Sequence, residues 1–209
     1  MKARIAGLYA ITPDLADSDD LRQRVQAALR GGAQVIQYRN KTAAPALRAA
    51  QARMLQILCA EFNVPLIIND HAALAAEVGA AGLHLGGADG PLAAVRAALG
   101  PDRLLGSSCY DRIELAQAAI AAGADHIAFG SFFPSTVKPG AVRPPVDLLT
   151  RAKARCGVPV VAIGGITLEN APQLIAAGAD AIAVISAVFS APDVEKAARA
   201  FQALFKKSP

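Results

Sequence analysis

The chain has 209 residues, of which 54% are hydrophobic and 18% are charged. This length allows one sizeable domain, residues 1–209, which would bury roughly 70% of the surface that the unfolded chain exposes. The formal net charge of +4 suits anionic ligands, whereas aromatic residues make up only 5% and tryptophan is absent. This composition excludes the dense basic and aromatic surface that is typical of nucleic-acid-binding proteins.

Cysteine usage and hydropathy bear on the cellular compartment. Cys59, Cys109 and Cys156 are far apart and form no Cys-x-x-Cys pair, which favours buried thiols in a reducing compartment. The apolar run at residues 5–11 ends in acidic sequence without a small-residue cleavage site. No apolar run approaches the ~20 residues that a membrane-spanning helix needs. We therefore expect a cytoplasmic protein with no membrane partner.

One pattern recurs along the chain: an alanine-rich amphipathic segment, a Gly-Ala or Ala-Gly stop, a short apolar run and a polar loop. Its clearest copies lie at residues 31–36, 122–127 and 177–182. Glycine in the left-handed conformation ends a helix and lets the chain turn into the next strand. The pattern predicts a repeated strand–helix unit.

Eight strands are predicted in chain order, at residues 8–12, 34–39, 66–69, 82–85, 104–108, 126–130, 160–163 and 181–186. Helical periodicity predicts helices between and after them, at residues 21–29, 46–62, 92–99, 114–121, 146–155, 170–176 and 193–205. Strands and helices in this alternation predict an α/β fold, the (β/α)8 barrel, for which ~200 residues is the compact limit. A doubly wound open sheet is the competing fold, but no G-x-G-x-x-G sequence follows the first strand.

The carboxyl end of the second strand carries two cations. Alternate residues of a strand share a face, so Gln37, Arg39 and Lys41 point one way while Tyr38 and Asn40 point the other. An arginine inside a barrel requires an anion, which is either a carboxylate on the rim or a ligand. Lys41, two residues further on, favours a phosphate ligand.

Asn69-Asp70 and Asp89 follow the third and fourth strands, so their oxygen atoms converge on one rim. Mg²⁺ prefers a few carboxylate oxygens together with water and substrate phosphates, so we predict that Asp70 and Asp89 bind Mg²⁺. The alternative is that each aspartate caps the helix that follows it. A zinc site made of His71, His84 and Asp89 is a weaker alternative, because no thiolate is near. His84 by default is a structural histidine.

Two further loops follow later strands. Residues 132–145 are rich in proline and carry Lys138 and Arg143, which indicates either a lid over a ligand or a disordered connector. The paired glycines Gly164-Gly165, and a helix start at Ser186-Ala187 after the eighth strand, predict a cradle of backbone N–H groups for a phosphate. A tight turn that needs glycine is the alternative for the glycine pair.

These segments together resemble the thiamine-phosphate synthase family over nearly the whole chain. The segment Gln37–Lys41 resembles the family's Q-x-R-x-K motif, Asn69-Asp70 its Asn-Asp pair, and His84-Leu85-Gly86 with Asp89 its H-x-G-x-x-D turn. Gly106-Ser107-Ser108 resembles its serine turn, residues 130–138 its G-x-x-x-P-T-x-T-K loop, and residues 163–166 its phosphate-binding glycines.

The resemblance implies an enzyme that joins aminopyrimidine-methyl diphosphate to a thiazole phosphate and releases pyrophosphate. It implies Mg²⁺ on Asp70 and Asp89, and a diphosphate surrounded by Arg39, Lys41, Asn69, Ser108 and Lys138, of which Arg39, Lys41, Ser108 and Lys138 act in catalysis. It further implies a pyrimidine pocket with Gln37 and His84. The thiazole phosphate would lie on Gly165, Ser186 and Ala187, with Ser135 nearby.

Three positions depart from the family pattern: Val137 replaces a threonine, Gly87 a glutamine, and Tyr110 a histidine. Val137 lacks a hydroxyl group at the thiazole end. Two alternatives stay open: a thiazole tautomerase of the same fold, which the family resembles in its last two strands and which has no diphosphate to release, and a phosphate-ligand sensor without turnover, which Val137 keeps open. The predicted partners are small phosphorylated molecules, and a homodimer is left open.

Overall fold

The barrel is closed in a computed structural model that describes residues 3–86, 91–134 and 142–206. Eight parallel strands are hydrogen-bonded in sequence order, and the last strand pairs with the first, with Leu8 opposite Ile182. This closure confirms the predicted (β/α)8 barrel and excludes the open doubly wound sheet, which would leave two edges unpaired.

The strands are β1 (Gly7–Ile11), β2 (Val35–Tyr38), β3 (Leu66–Asn69), β4 (Gly82–Leu85), β5 (Leu104–Tyr110), β6 (His126–Phe129), β7 (Val160–Ile163) and β8 (Ala181–Val184). The helices are α1 (Ser18–Arg30), α2 (Pro45–Glu61), α3 (Ala72–Glu77), α4 (Leu92–Leu99), α5 (Ile113–Ala121), α6 (Asp147–Arg155), α7 (Ala171–Ala176), α8 (Ser186–Phe189) and α9 (Val194–Leu204). The eighth strand is shorter than predicted, because Ser186 already begins α8. Helix α1 begins earlier than predicted, because the Asp17 carboxylate accepts hydrogen bonds from the N–H groups of Asp19 and Asp20.

The strand residues divide between two packed layers. One face fills the barrel interior with Tyr9, Val35, Ile67, Leu104 and Val161, and the other packs outward with helix residues such as Leu21 and Leu55. On β2 the outward Tyr38 hydroxyl donates to Gln51 Oε1 of α2 at 2.8 Å, and Asn40 Nδ2 donates to the same oxygen at 3.0 Å. The predicted separation of Tyr38 and Asn40 from Gln37 is therefore confirmed.

The Gly-Ala-Asp sequences tie neighbouring strands together at the amino ends of the barrel. Asp125 donates its N–H to Leu105 O at 2.7 Å, and its carboxylate accepts from Leu105 N at 2.8 Å. Asp180 makes the same pair with Val160, at 2.8 Å in both directions, and Lys153 Nζ contacts its carboxylate at 2.7 Å. These clamps occupy one end of the barrel and leave the carboxyl-end rim for a site.

All three cysteines are buried and free of disulfides, as predicted. Burial raises the pKa of the Cys59 and Cys109 thiols to about 12, so both stay protonated and behave as small apolar groups. In the described residues, no helix combines the length and apolar character needed to cross a membrane.

We predict that Asp180→Ala lowers the free energy of unfolding by about 1 to 3 kcal/mol, because the N–H of Val160 in a buried strand loses its carboxylate acceptor. Urea unfolding followed by circular dichroism measures the change. Glu77→Ala is the matched control: its carboxylate pairs with Arg53 on the surface, so its loss should be below about 1 kcal/mol. Equal losses in the two variants would contradict the strand-clamp role.

Candidate active site at the carboxyl-end rim

Most of the predicted site residues lie at the carboxyl ends of the strands or just beyond them. Asp89, Ser135 and Lys138 lie outside the described residues, as do the departures Gly87 and Val137. The predicted site residues that the structure describes are Gln37, Arg39, Lys41, Asn69, Asp70, His84, Ser108, Gly165, Ser186 and Ala187.

A carboxylate that the sequence analysis missed, Asp14, organises the end of β2. Arg39 Nη1 lies 3.1 Å from both Asp14 oxygens, and the backbone N–H of Lys41 donates to Asp14 Oδ1 at 2.8 Å. The carboxylate alternative for Arg39 is thus observed. Among the described residues, the guanidinium of Arg39 pairs through Nη1 alone. Since it presents five N–H donors, Nε and Nη2 remain able to bind an anion. The available signal was the position of Asp14, two residues after the first predicted strand.

Lys41 and Asp70 meet across the ends of β2 and β3, with Nζ 3.5 Å from Oδ2. Asp70 adopts a left-handed backbone conformation with φ of 63°, which aspartate tolerates better than most residues, and its N–H donates to His84 O at 2.9 Å. The N-cap of α3 is His71, whose side chain makes no capping hydrogen bond. Asp70 is therefore not the N-cap residue of this helix, and its carboxylate contacts Lys41.

Below the rim, polar side chains inside the barrel bind one another. Gln37 Nε2 donates to the Tyr9 hydroxyl at 2.8 Å, and His84 Nε2 lies 2.9 Å from Ser108 Oγ. Gln37 is 3% exposed and His84 7% exposed, so both are preorganised by burial. Burial raises the pKa of Tyr9 far above its ordinary value, so its hydroxyl stays neutral. His84 therefore points into the barrel interior and not toward the helix layer.

A second histidine, His126, lies beside His84 and was also missed. Its Nε2 is 3.4 Å from His84 Nδ1, and the side chain is fully buried. Burial, reinforced by His84, holds the pKa of His126 well below its ordinary range, so the ring is neutral. Alternation along the sixth strand, which puts residues 126 and 128 on one face, is the feature of the sequence that could have identified His126.

The glycine pair after β7 is covered by the segment that follows β6. Phe132 N–H donates to Ile163 O at 3.1 Å, and Phe133 N–H donates to Gly164 O at 3.0 Å. A Cβ at Gly165, whose φ is +62°, would lie 2.2 Å from Pro134 O. The close approach of another backbone therefore requires glycine here, besides the turn itself. In the described residues, the N–H groups of Gly164 and Gly165 donate to no other group.

The predicted helix start after β8 is confirmed. Ser186 and Ala187 are the first residues of α8, and the Ile185 carbonyl accepts from Val188 N–H at 3.2 Å and from Phe189 N–H at 2.9 Å. The N–H groups at the start of a helix have no intrahelical partner. The glycine turn and this helix start follow adjacent strands, so two sets of N–H donors lie at the same part of the rim.

The fold and the rim define a class: a (β/α)8-barrel protein with cations on one part of its rim and backbone N–H donors on another. The family model described as thiamine monophosphate synthase matches residues 8–188. A thiamine-phosphate synthase of Azoarcus sp. (strain BH72) is 56% identical over 205 residues, which are 98% of this chain and 100% of the relative. Its counterpart in Thioalkalivibrio sulfidiphilus is 51% identical and covers 97% of each chain. The chain therefore belongs to the thiamine-phosphate synthase family.

Two solved structures are similar to this chain, at different levels of sequence identity. Thiamine phosphate pyrophosphorylase from Pyrococcus furiosus superposes with a TM-score of 0.86 at 32% identity, over 97% of this chain and 96% of that one. Orotidine 5'-phosphate decarboxylase from Pyrococcus horikoshii superposes with a TM-score of 0.72 over 96% of this chain and all of that one, but at 14% identity. The second likeness shows the barrel fold alone.

We predict that Gly165→Ala destabilises the protein more than Gly79→Ala does. The two glycines have nearly the same φ, +62° and +67°, but nothing lies within 4 Å of a Cβ at Gly79. Gly79→Ala should cost about 1 to 2 kcal/mol from the left-handed backbone alone. Gly165→Ala adds the clash with Pro134 O, and urea unfolding measures the difference between them. Equal losses of unfolding free energy in the two variants would show that residues 131–134 do not contact the glycine turn closely enough to exclude a Cβ at residue 165.

Proposed function

We propose that this chain catalyses the formation of thiamine phosphate from an aminopyrimidine-methyl diphosphate and a hydroxyethylthiazole phosphate. The observation that carries the proposal is a pair of oriented cations at the ends of β2 and β3, in a chain of this family: Arg39 is held by Asp14, and Lys41 contacts Asp70. The bond between the methylene carbon and the diphosphate oxygen breaks, and its electron pair leaves with the diphosphate. The lone pair of the thiazole nitrogen then forms the new C–N bond.

The diphosphate would be bound by Arg39, Lys41, Asn69 and Ser108, with Lys138 from outside the described residues. As the diphosphate departs, negative charge builds up on the oxygen that was bonded to the methylene carbon. Preorganised cations and hydrogen-bond donors stabilise that transition state. Each such group is worth about 10²- to 10³-fold in rate. Asp14 supports this by holding Arg39 in place before the ligand arrives.

The donors at the end of β3 fit Mg²⁺. Asp70 offers a carboxylate and Asn69 an amide oxygen, which are the hard oxygen ligands that Mg²⁺ takes alongside water and substrate phosphates. Asp70 and Asp89 would hold the ion, although Asp89 lies outside the described residues. The described residues contain no group of three histidine, cysteine, aspartate or glutamate side chains placed for a metal, and the zinc alternative stays untested because its Asp89 lies outside them. Bound Mg²⁺ would supply charge neutralisation to the leaving diphosphate.

The two rings would occupy different parts of the rim. Gln37 and His84, both buried inside the barrel, would line the pocket of the aminopyrimidine ring and keep water from the reacting carbon. Gly165, Ser186 and Ala187 would hold the thiazole phosphate through backbone N–H groups, with Ser135 nearby. In this arrangement, one group of residues would bind the diphosphate and another the thiazole phosphate, on opposite sides of the new C–N bond.

The tautomerase alternative has less support. A tautomerase has no diphosphate to release and would not need Arg39, Lys41 and Asp70 together on the rim. The relatives described above are named synthases. The sensor alternative depends on Val137, which lies outside the described residues. A homodimer stays a prediction.

We expect the purified protein, mixed with both substrates and Mg²⁺, to form thiamine phosphate and pyrophosphate in equal amounts. Oxidation of thiamine phosphate to its fluorescent thiochrome measures one product, and a coupled phosphate assay measures the other. If the folded protein forms neither product but isomerises the thiazole carboxylate phosphate, it is a tautomerase. Tight binding of both phosphates without either reaction would make it a sensor.

We expect Asp70→Asn to lower kcat/KM by about 10²- to 10³-fold, because it removes a charge that the metal needs. Asparagine tolerates the left-handed φ of this position, so the melting temperature should stay close to that of the wild type. Asp102→Asn is the control, since Asp102 is exposed and precedes β5 at the other end of the barrel. An unchanged rate in Asp70→Asn would remove Asp70 from the metal site.

A further inference from the structure

His84, Gly106 and His126 lie in one row across three adjacent strands. His84 is opposite Gly106 in the pairing of β4 with β5, and Gly106 is opposite His126 in the pairing of β5 with β6. A Cβ on Gly106 would lie 2.2 Å from His126 Nε2 and 2.5 Å from His84 Nδ1. The missing side chain therefore lets the two rings meet, with their centroids 5.5 Å apart.

The row continues into a hydrogen-bonded chain. His126 Nε2 lies 3.4 Å from His84 Nδ1, and His84 Nε2 lies 2.9 Å from Ser108 Oγ. Ser108 is partly exposed and lies near the carboxyl end of β5. The chain thus runs from a fully buried imidazole to a hydroxyl group on the rim.

The buried end of this series of hydrogen bonds, His126, determines which atom donates in each bond. His126 is neutral, so one of its ring nitrogens carries a proton and the other a lone pair. Its Nδ1 is buried and has no hydrogen-bond partner in the described part of the protein. A buried N–H without an acceptor is rarer in proteins than an acceptor that is left unused. The proton of His126 therefore belongs on Nε2, which donates to His84 Nδ1.

This donation fixes the next two groups. A lone pair on Nδ1 means that His84 is neutral as well, so its single ring proton is on Nε2 and is donated to Ser108 Oγ. A serine hydroxyl has one proton to donate, and Ser108 keeps that proton for a ligand. With the opposite direction, Ser108 would donate to His84 and present only lone pairs to an anion.

We propose that His126 is a positioning residue that sets the tautomer of His84, so that Ser108 donates its hydroxyl proton to a bound diphosphate. Hydrogen bonds from a hydroxyl to a charged oxygen are short and strong. The anionic ligand rests on the proposed function, whereas the tautomers of the two histidines do not.

The tautomers are measured in the wild-type protein with ¹⁵N-labelled histidine. Protonated and lone-pair ring nitrogens have well-separated ¹⁵N shifts, so the spectrum reads the direction without any activity. We expect lone-pair Nδ1 and protonated Nε2 in both His84 and His126. A protonated Nδ1 in His84 would overturn the proposal, even if the protein made thiamine phosphate.

Two substitutions at residue 126 test the consequence. His126→Met removes both nitrogens at similar volume, and His126→Gln keeps an N–H donor at about the reach of Nε2. Binding of inorganic pyrophosphate with Mg²⁺, measured by calorimetry, should weaken about 10-fold in His126→Met and by less than about 3-fold in His126→Gln. Equal weakening in the two variants would reduce His126 to a packing role.

The double variant separates positioning from packing. If His126 acts through Ser108, then His126→Met should weaken pyrophosphate binding no further in a Ser108→Ala background. The same 10-fold loss in both backgrounds would overturn the proposal. If the wild type bound no pyrophosphate, the proposed function would fail, and the ¹⁵N spectrum would still decide the direction of the chain.

Discussion

The closed parallel barrel is the constraint on which the rest of the structure depends. Closure leaves no free strand edge, and every second residue of each strand must then fit an enclosed interior of fixed volume. Apolar residues such as Val35 and Ile67 pack together in this interior. The polar interior residues must satisfy one another, as Gln37 does with Tyr9 and His84 with Ser108, because an unpaired buried polar group is costly. The interior is therefore hydrogen-bonded before any ligand enters.

The charged side chains on the rim also bind one another before any ligand enters. Arg39 and Lys41 would repel each other and lose conformational order if they were alone. The carboxylates of Asp14 and Asp70 hold them at 3.1 Å and 3.5 Å. Both pairs are partly exposed, so their direct contribution to stability is small. Their value lies in orientation, since a diphosphate then meets cations that are already in place and need not reorganise.

The sequence predicts the barrel well, because each Gly-Ala stop and apolar run is a local signal. It also puts Lys41 and Asp70 at the ends of neighbouring strands on one rim, but it does not predict the 3.5 Å contact between them. Asp14 was missed because it lies in a loop, whose path no periodicity describes. The pairing of His84 with His126 was missed because it depends on register: both residues lie opposite Gly106, and alternation within a strand does not fix the stagger between strands.

The glycine turn after β7 shows how one loop can preorganise another. A peptide unit is planar, so the C=O of one residue and the N–H of the next turn together. Phe132 binds the carbonyl of Ile163 and Phe133 that of Gly164, which fixes the directions of the N–H groups of Gly164 and Gly165. Asn170 Nδ2 binds the carbonyl of Gly165 at 3.1 Å and extends the same restraint by one peptide. The donors proposed for the thiazole phosphate are thus set by the segment after β6, whose continuation carries Ser135 and Lys138 in the sequence. Any change that loosens residues 131–134 should therefore weaken the phosphate end without touching a ligand.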